Sequence, residues 1–98
     1  MTIEELFLII QNRKKMMPQK SYIASLFRKG NDSIIQKIGE ESTEVIIEAK
    51  NSNKNRIISE VCDLLFHLLI LLSYYNFNLD DIKAEFSKRN KSKQKFTE

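Results

Sequence analysis

Six of the thirteen acidic side chains of this sequence gather in two short stretches. Glu40, Glu41, Glu44 and Glu48 occupy one, and Glu60 and Asp63, followed by His67, occupy the other. On a helix, at about 100° per residue, Glu41, Glu44 and Glu48 fall within an arc of about 60°. Glu60, Asp63 and His67 share an arc of similar width. Ile34, Ile38, Val45 and Ala49 flank the first strip, so its acids border a core instead of the far solvent face. Like charges three and four residues apart repel by a few tenths of a kcal/mol in water, and more when desolvated. In the second stretch Glu60, Asp63 and His67 are the only Asp, Glu, His, Lys or Arg residues between Ile57 and Tyr75. A buried lone carboxylate costs several kcal/mol or takes up a proton. Both strips therefore call for a cation. An all-oxygen donor set favours a hard ion, and Mg²⁺ held by a few carboxylates keeps waters and binds phosphates. A di-iron bundle would need Glu-x-x-His motifs and zinc more His or Cys, and neither is present.

The elements that position these groups are helices. With 2 Gly and 1 Pro in 98 residues there are few turn residues for a sandwich or barrel. Thr2 and Glu5 form a capping box for a helix to about Lys15, which Met17-Pro18 breaks. Ser21 caps a short helix from Tyr22 to Lys29, closed by Gly30. Asn31, Asp32 or Ser33 is expected to cap a third helix over about Ile34–Lys50, ended by Asn51-Ser52-Asn53. A fourth spans about Asn55–Tyr75, and Asp80 and Asp81 open a fifth to about Asn90. Fifteen residues separate Glu44 from Glu60, which suits two antiparallel helices with facing acidic strips.

The fourth helix is apolar nearly all round, from Ile57 and Ile58 through Leu72. One short chain cannot enclose such a helix, so the expected architecture is an all-α bundle of four to five helices completed by homodimerisation. Residues 1–90 form one domain and 91–98 a polar tail, where Lys91, Lys93 and Lys95 read as solvated. The net charge of +3 and pI of about 9.0 do not make a nucleic-acid stripe, because the basic residues are scattered around an acidic centre. Cys62 rules out an intramolecular disulfide and reads as a small buried hydrophobe. The run Leu64–Tyr75 is too short to span a bilayer and no signal peptide precedes the first helix, so the expected location is cytoplasmic.

The Glu-Glu-x-x-Glu…Glu-x-x-Asp pattern resembles the all-alpha nucleoside triphosphate pyrophosphohydrolases, which include MazG-like proteins and dimeric dUTPases. Ser21-Tyr22-Ile23-Ala24-Ser25-Leu26, Gln36-Lys37-Ile38-Gly39-Glu40-Glu41 and Glu60 to Leu69 narrow the resemblance to the phosphoribosyl-ATP pyrophosphohydrolase family, over Leu6 to about Arg89. The resemblance implies Mg²⁺-dependent hydrolysis of 1-(5-phosphoribosyl)-ATP to 1-(5-phosphoribosyl)-AMP and pyrophosphate, the second step of histidine biosynthesis. It implies that Glu41, Glu44, Glu60 and Asp63 hold the metal, and that Glu40 polarises water or binds a second ion, with Glu44 sharing the catalytic role. Ser21, Tyr22, Arg28, Lys29 and Arg89 would meet the substrate. Lys37 meets phosphate or forms an i,i+4 ion pair, and His67 either serves the substrate or is a core residue with one satisfied nitrogen. Ile23, where Thr is common, and Phe66, where Tyr often precedes the His, depart from the family pattern in ways that touch fine substrate contacts. A separate phosphoribosyl-AMP cyclohydrolase would act next. The competing expectations are a house-cleaning nucleotide pyrophosphohydrolase and a non-enzymatic dimerisation module with structural acids.

Overall fold

A computed structural model of the chain describes residues 1–91. It contains α1 (Ile3–Met16), α2 (Tyr22–Lys29), α3 (Asn31–Asn51), α4 (Lys54–Tyr74) and α5 (Leu79–Lys91), and no strand among the described residues. The helix ends are set by local chemistry. Thr2 Oγ1 accepts the Glu5 amide at 3.0 Å, and Ser21 Oγ accepts that of Ala24 at 3.1 Å. Asn78 and Asp81 exchange amide and side-chain hydrogen bonds at 3.1 and 2.8 Å, a capping box that starts α5 at Leu79. The tail expected over 91–98 lies outside the described residues beyond Lys91, which is itself the last helical residue of α5.

The α2–α3 junction differs from expectation. Gly30 alone joins the two helices, ending α2 and starting α3, with φ 91° and ψ −177°. Only glycine occupies that region freely, and the immediate restart puts Asn31, Asp32 and Ser33 inside the first turn, where none caps it. Asn31 instead donates its amide to the Tyr75 hydroxyl at 2.8 Å, linking the start of α3 to the end of α4.

Ser52 and Asn53 connect α3 to α4, with Ser52 in the left-handed region and Asn53 Oδ1 accepting the Arg56 amide at 3.1 Å. The two helices run antiparallel: Ile34, near the start of α3, shares a core with Leu69 and Ile70, near the end of α4. Phe7 and Ile10 of α1 and Leu26 of α2 complete that core, all nearly inaccessible. Lys14 of α1 reaches the carbonyls of Ser73 and Tyr74 and Asn76 Oδ1, at 2.5, 3.2 and 2.8 Å. A cation there satisfies orphan carbonyls and the negative end of the α4 dipole. A Lys83–Glu4 ion pair at 3.5 Å ties α5, which buries no residue fully, to α1.

Every buried residue of α4 lies in its C-terminal half: His67, Leu69, Ile70 and Ser73. Its N-terminal half is bare on one side, with Ile58 50% and Val61 45% accessible. Cys62, expected to be buried, is exposed, at the rim of a shallow cleft that Ile3 and Leu6 of α1 also line. At 21 residues, with a mean hydropathy of 1.8 over its most apolar 18-residue stretch, α4 is long and apolar enough to cross a membrane by length and composition. The shorter Leu64–Tyr75 run understated it, because Ile57, Ile58 and Val61 extend the apolar stretch. Packing against α1, α2 and α3 nevertheless covers the C-terminal half with protein.

Candidate active site

The α3–α4 hairpin brings the two acidic strips together. Glu41, Glu60 and Asp63 each offer a carboxylate oxygen, and these three atoms all lie within 4.8 Å of one another. Glu41 and Glu60 are half-buried and Asp63 is exposed, so the cluster opens to solvent on one side. Glu60 is held above its ordinary value of 4.5, first by desolvation and then by the charges of Asp63, Glu44, Glu41 and Glu48. Four carboxylates thus act on Glu60 from two helices. This donor set fits a hard divalent cation, which would relieve repulsion that no basic side chain in the cluster offsets.

Glu40 stands apart. It sits about 100° round α3 from Glu41 and is exposed, meeting Lys37 Nζ at 3.8 Å and Gln36 Nε2 at 3.0 Å. Its place on the helix accounts for that, and the expected water-polarising or second-ion role finds no support in its position. Lys37 pairs with Glu40 at i,i+3, not with Glu41 at i,i+4. Glu48, which the family pattern leaves out, takes the fifth place in the cluster. Its signal was already in the angular arithmetic, which puts it between Glu41 and Glu44 on the arc.

His67 points into the protein at 5% accessibility. Its Nδ1 lies 2.8 Å from the Asp63 carbonyl oxygen, not from the carboxylate. A carbonyl only accepts, so Nδ1 carries the proton and Nε2 is left as a buried acceptor without a partner. The helical strip runs from open at Asp63 to enclosed at His67 because α1 and α2 cross α4 one turn further on. His67 is therefore enclosed, with Nδ1 on the backbone carbonyl of Asp63 and not on its carboxylate.

The remaining expected contacts are spread around the cluster. Ser21 is spent on the α2 cap, while Tyr22 is exposed and stacks on Phe66 with ring centroids 6.4 Å apart. Phe66 lies one turn beyond Asp63, which puts this aromatic pair beside the acidic strip. Arg28 donates to the carbonyls of Met17 and Pro18 at 3.1 and 2.9 Å, clasping the α1–α2 turn. Lys29 is exposed in the last turn of α2. Arg89 pairs with Glu85 at 3.8 Å on α5, away from the α3–α4 hairpin that carries the acids. A 370 Å³ cleft lined by Gln11, Lys14, Lys15, Ser73, Asn76 and Phe77 lies at the other end of α4, and none of the acids borders it.

An all-helical fold with Glu-x-x-Glu and Glu-x-x-Asp strips opposed across a hairpin fits the class of nucleotide pyrophosphohydrolases. The sequence profile of the phosphoribosyl-ATP pyrophosphohydrolase family matches residues 3–90. The chain is 48% identical over 89 residues to a phosphoribosyl-ATP pyrophosphatase of Clostridium novyi (strain NT), covering 91% of this chain and 81% of that protein. It is 47% identical over 88 residues to that of Clostridium acetobutylicum, covering 90% and 80%. For Haloarcula marismortui the identity is 44% over 89 residues, covering 89% and 91%. The chain belongs to the phosphoribosyl-ATP pyrophosphohydrolase family, whose reaction is a step of histidine biosynthesis.

Proposed function

We propose that the carboxylate face of the α3–α4 hairpin is where this family's reaction takes place, the Mg²⁺-dependent cleavage of phosphoribosyl-ATP into phosphoribosyl-AMP and pyrophosphate. The observation that carries the reading is the approach of Glu41, Glu60 and Asp63 within 4.8 Å. Those three side chains would hold the cation, with Glu44 beside them. Bound Mg²⁺ would neutralise the triphosphate and orient the bond between the α- and β-phosphates. Glu44 is exposed, acts on Glu60, and stands outside the tight triad. Its carboxylate would accept a proton from the attacking water, whose oxygen forms the new bond to phosphorus as pyrophosphate leaves. The exposed ring of Tyr22, backed by Phe66, offers a flat apolar surface for the nucleotide base, and Lys29 offers charge for phosphate.

The same reading includes a homodimer in the cytoplasm. Ile58, Val61 and Leu68 on α4 and Ile35, Ile46 and Ile47 on α3 leave more apolar surface than a small lone domain carries without consequence. A second copy would cover it, and with it Cys62. A phosphoribosyl-AMP cyclohydrolase activity would take the product onward.

The test is pyrophosphate release from phosphoribosyl-ATP, with and without Mg²⁺, beside dUTP and dCTP. The reading expects Mg²⁺-dependent release from phosphoribosyl-ATP alone. Equal or better turnover of dUTP or dCTP would move the protein to the house-cleaning pyrophosphohydrolases. No release from any of them would favour a non-enzymatic dimerisation module.

A further inference from the structure

The 370 Å³ cleft at the end of α4 remote from the acids has a lining of one chemical character. It joins Gln11, Lys14 and Lys15 of α1 to Ser73 of α4 and to Asn76 and Asn78 of the α4–α5 connection. No Asp or Glu belongs to that lining; the groove continues past Gln11 and Asn78 to Glu4, Asp80 and Lys83, beyond the cleft. Hydrogen bonds inside the protein decide what the cleft can offer. Asn76 Oδ1 accepts from Lys14 Nζ at 2.8 Å, and Asn78 Oδ1 accepts the Asp81 amide at 3.1 Å. Both carboxamide oxygens are spent, so each side chain has its NH2 group left to donate. Lys14 is used on the carbonyls of Ser73 and Tyr74, where the helix dipole offsets part of its charge. Lys15 is exposed and has no ion pair among the described residues. Ser73 is the most enclosed lining residue, at 3% accessibility, so the cleft reaches the edge of the core. Phe77, also in the lining, is half-exposed and stacks on Tyr75 with ring centroids 5.7 Å and planes 19° apart, which holds a flat apolar face there.

We propose that this cleft is a second ligand site, which takes a nucleoside monophosphate, with its phosphate on Lys15 and the two carboxamide NH2 groups and its base on Phe77. A lining with ammonium and NH2 donors and no acid selects an anion. The donors come from α1 on one side and the α4–α5 connection on the other. A phosphate monoester meets them with three terminal oxygens in a tetrahedral array, where a carboxylate offers two in one plane. The volume lies at the lower end of the range of about 300–1,000 Å³ for small-molecule sites, more than inorganic phosphate fills. The flat face of Phe77 accounts for the remainder. A bound nucleotide would join α1 to the segment that leads into α5. That helix buries no residue fully and is tied to α1 by the Lys83–Glu4 pair, so the ligand would steady it. A purely structural account explains Lys14, whose three hydrogen bonds close the end of α4. It gives Lys15 and the two NH2 groups no task. The site is independent of the reading of the acidic cluster.

The experiment titrates AMP, adenosine and inorganic phosphate into the full chain in EDTA, where the acidic cluster holds no cation and repels anions. Calorimetry gives the Kd, and amide NMR gives the place. AMP should bind saturably and at least about 10-fold more tightly than adenosine or phosphate, because it alone uses the donors and the ring together. The side-chain NH2 signals of Asn76 and Asn78 should shift on AMP addition. Lys15→Gln should weaken AMP by about 10-fold, the loss of one charge-assisted hydrogen bond. Phe77→Ala should weaken AMP and leave phosphate unchanged, with circular dichroism showing each variant folded. Asp63→Asn, in the acidic cluster, should change neither. Saturating AMP should raise the melting temperature of the parent more than that of Lys15→Gln. Absence of saturable AMP binding would overturn the proposal. Binding that Lys15→Gln and Phe77→Ala both leave intact, or that is lost in Asp63→Asn, would place AMP elsewhere and overturn it as well. Phosphate bound as tightly as AMP would remove the base from the cleft and overturn the nucleotide assignment. None of these titrations depends on pyrophosphate release, so a failure here leaves the reading of the acidic cluster to its own assay.

Discussion

The two halves of α4 are built to opposite specifications. Its C-terminal half buries Leu69 and Ile70 against Phe7, Ile10, Leu26 and Ile34, and Lys14 closes its end. Its N-terminal half carries Glu60 and Asp63 into a cluster of like charges on α3 and leaves Ile58 and Val61 uncovered. One half supplies stability and the other consumes it. A single continuous helix couples them, so the rigid end holds the repelling acids where side chains free to move would turn apart. His67 sits at the boundary, its ring in the core and its Nδ1 on the carbonyl of Asp63. Strain retained at a site and supported from elsewhere is what a cation-binding function leads one to expect.

Substitutions on either side of that boundary should therefore separate activity from stability. The largest effect is expected from Asp63→Asn or Glu44→Gln. Each should lower pyrophosphate release from phosphoribosyl-ATP by at least about 100-fold while the far-ultraviolet circular dichroism and metal-free melting stay at or above the parent. Retained turnover in either would break the contrast at its functional end. At the other end, Ile70→Ala should cost about 2–5 kcal/mol in urea unfolding, by lost transfer energy and an unfilled cavity. Activity should survive wherever the folded fraction does.

A smaller effect follows from Ser21→Ala, which deletes the α2 cap. A loss of about 1 kcal/mol in the same urea titration is expected. If Ser21 also meets substrate, KM would rise alongside, which the same preparation can measure.

The smallest and sharpest effect concerns pH. Glu60 titrates above its ordinary value of 4.5 in the folded chain because it is desolvated and faces four other carboxylates. A raised folded value means that the folded state binds the proton more tightly than the unfolded one. Its contribution to stability is then present below the unfolded value and is lost as pH rises through the folded one. In EDTA the melting temperature should accordingly fall as pH climbs from about the unfolded glutamate value upward. Glu60→Gln should flatten that slope, and an unchanged slope would remove the electrostatic part of the account.

Much of this was legible in the sequence, and unevenly so. Thr2, Ser21 and Met17-Pro18 mark their helix boundaries because caps and breakers act over three or four residues. Gly30 was read as a terminator only; that one glycine can end α2 and begin α3 depends on how the two helices pack. The acids were legible as a pattern, but the family pattern and the helix geometry disagreed about which ones matter. In the structure Glu40 meets Lys37, and Glu48 acts on Glu60 from the arc that helix geometry gives it. His67 shares the arc of Glu60 and Asp63, yet its burial is decided by where α1 and α2 cross, which no spacing within α4 records.

All of this turns on a divalent cation being held where α3 and α4 present their acids to each other. Anomalous diffraction from crystals grown with Mn²⁺ addresses that position directly. The account predicts a peak within bonding distance of carboxylate oxygens of Glu41, Glu60 and Asp63. A well-ordered structure with these side chains turned outward, and the peak elsewhere or missing, would contradict it.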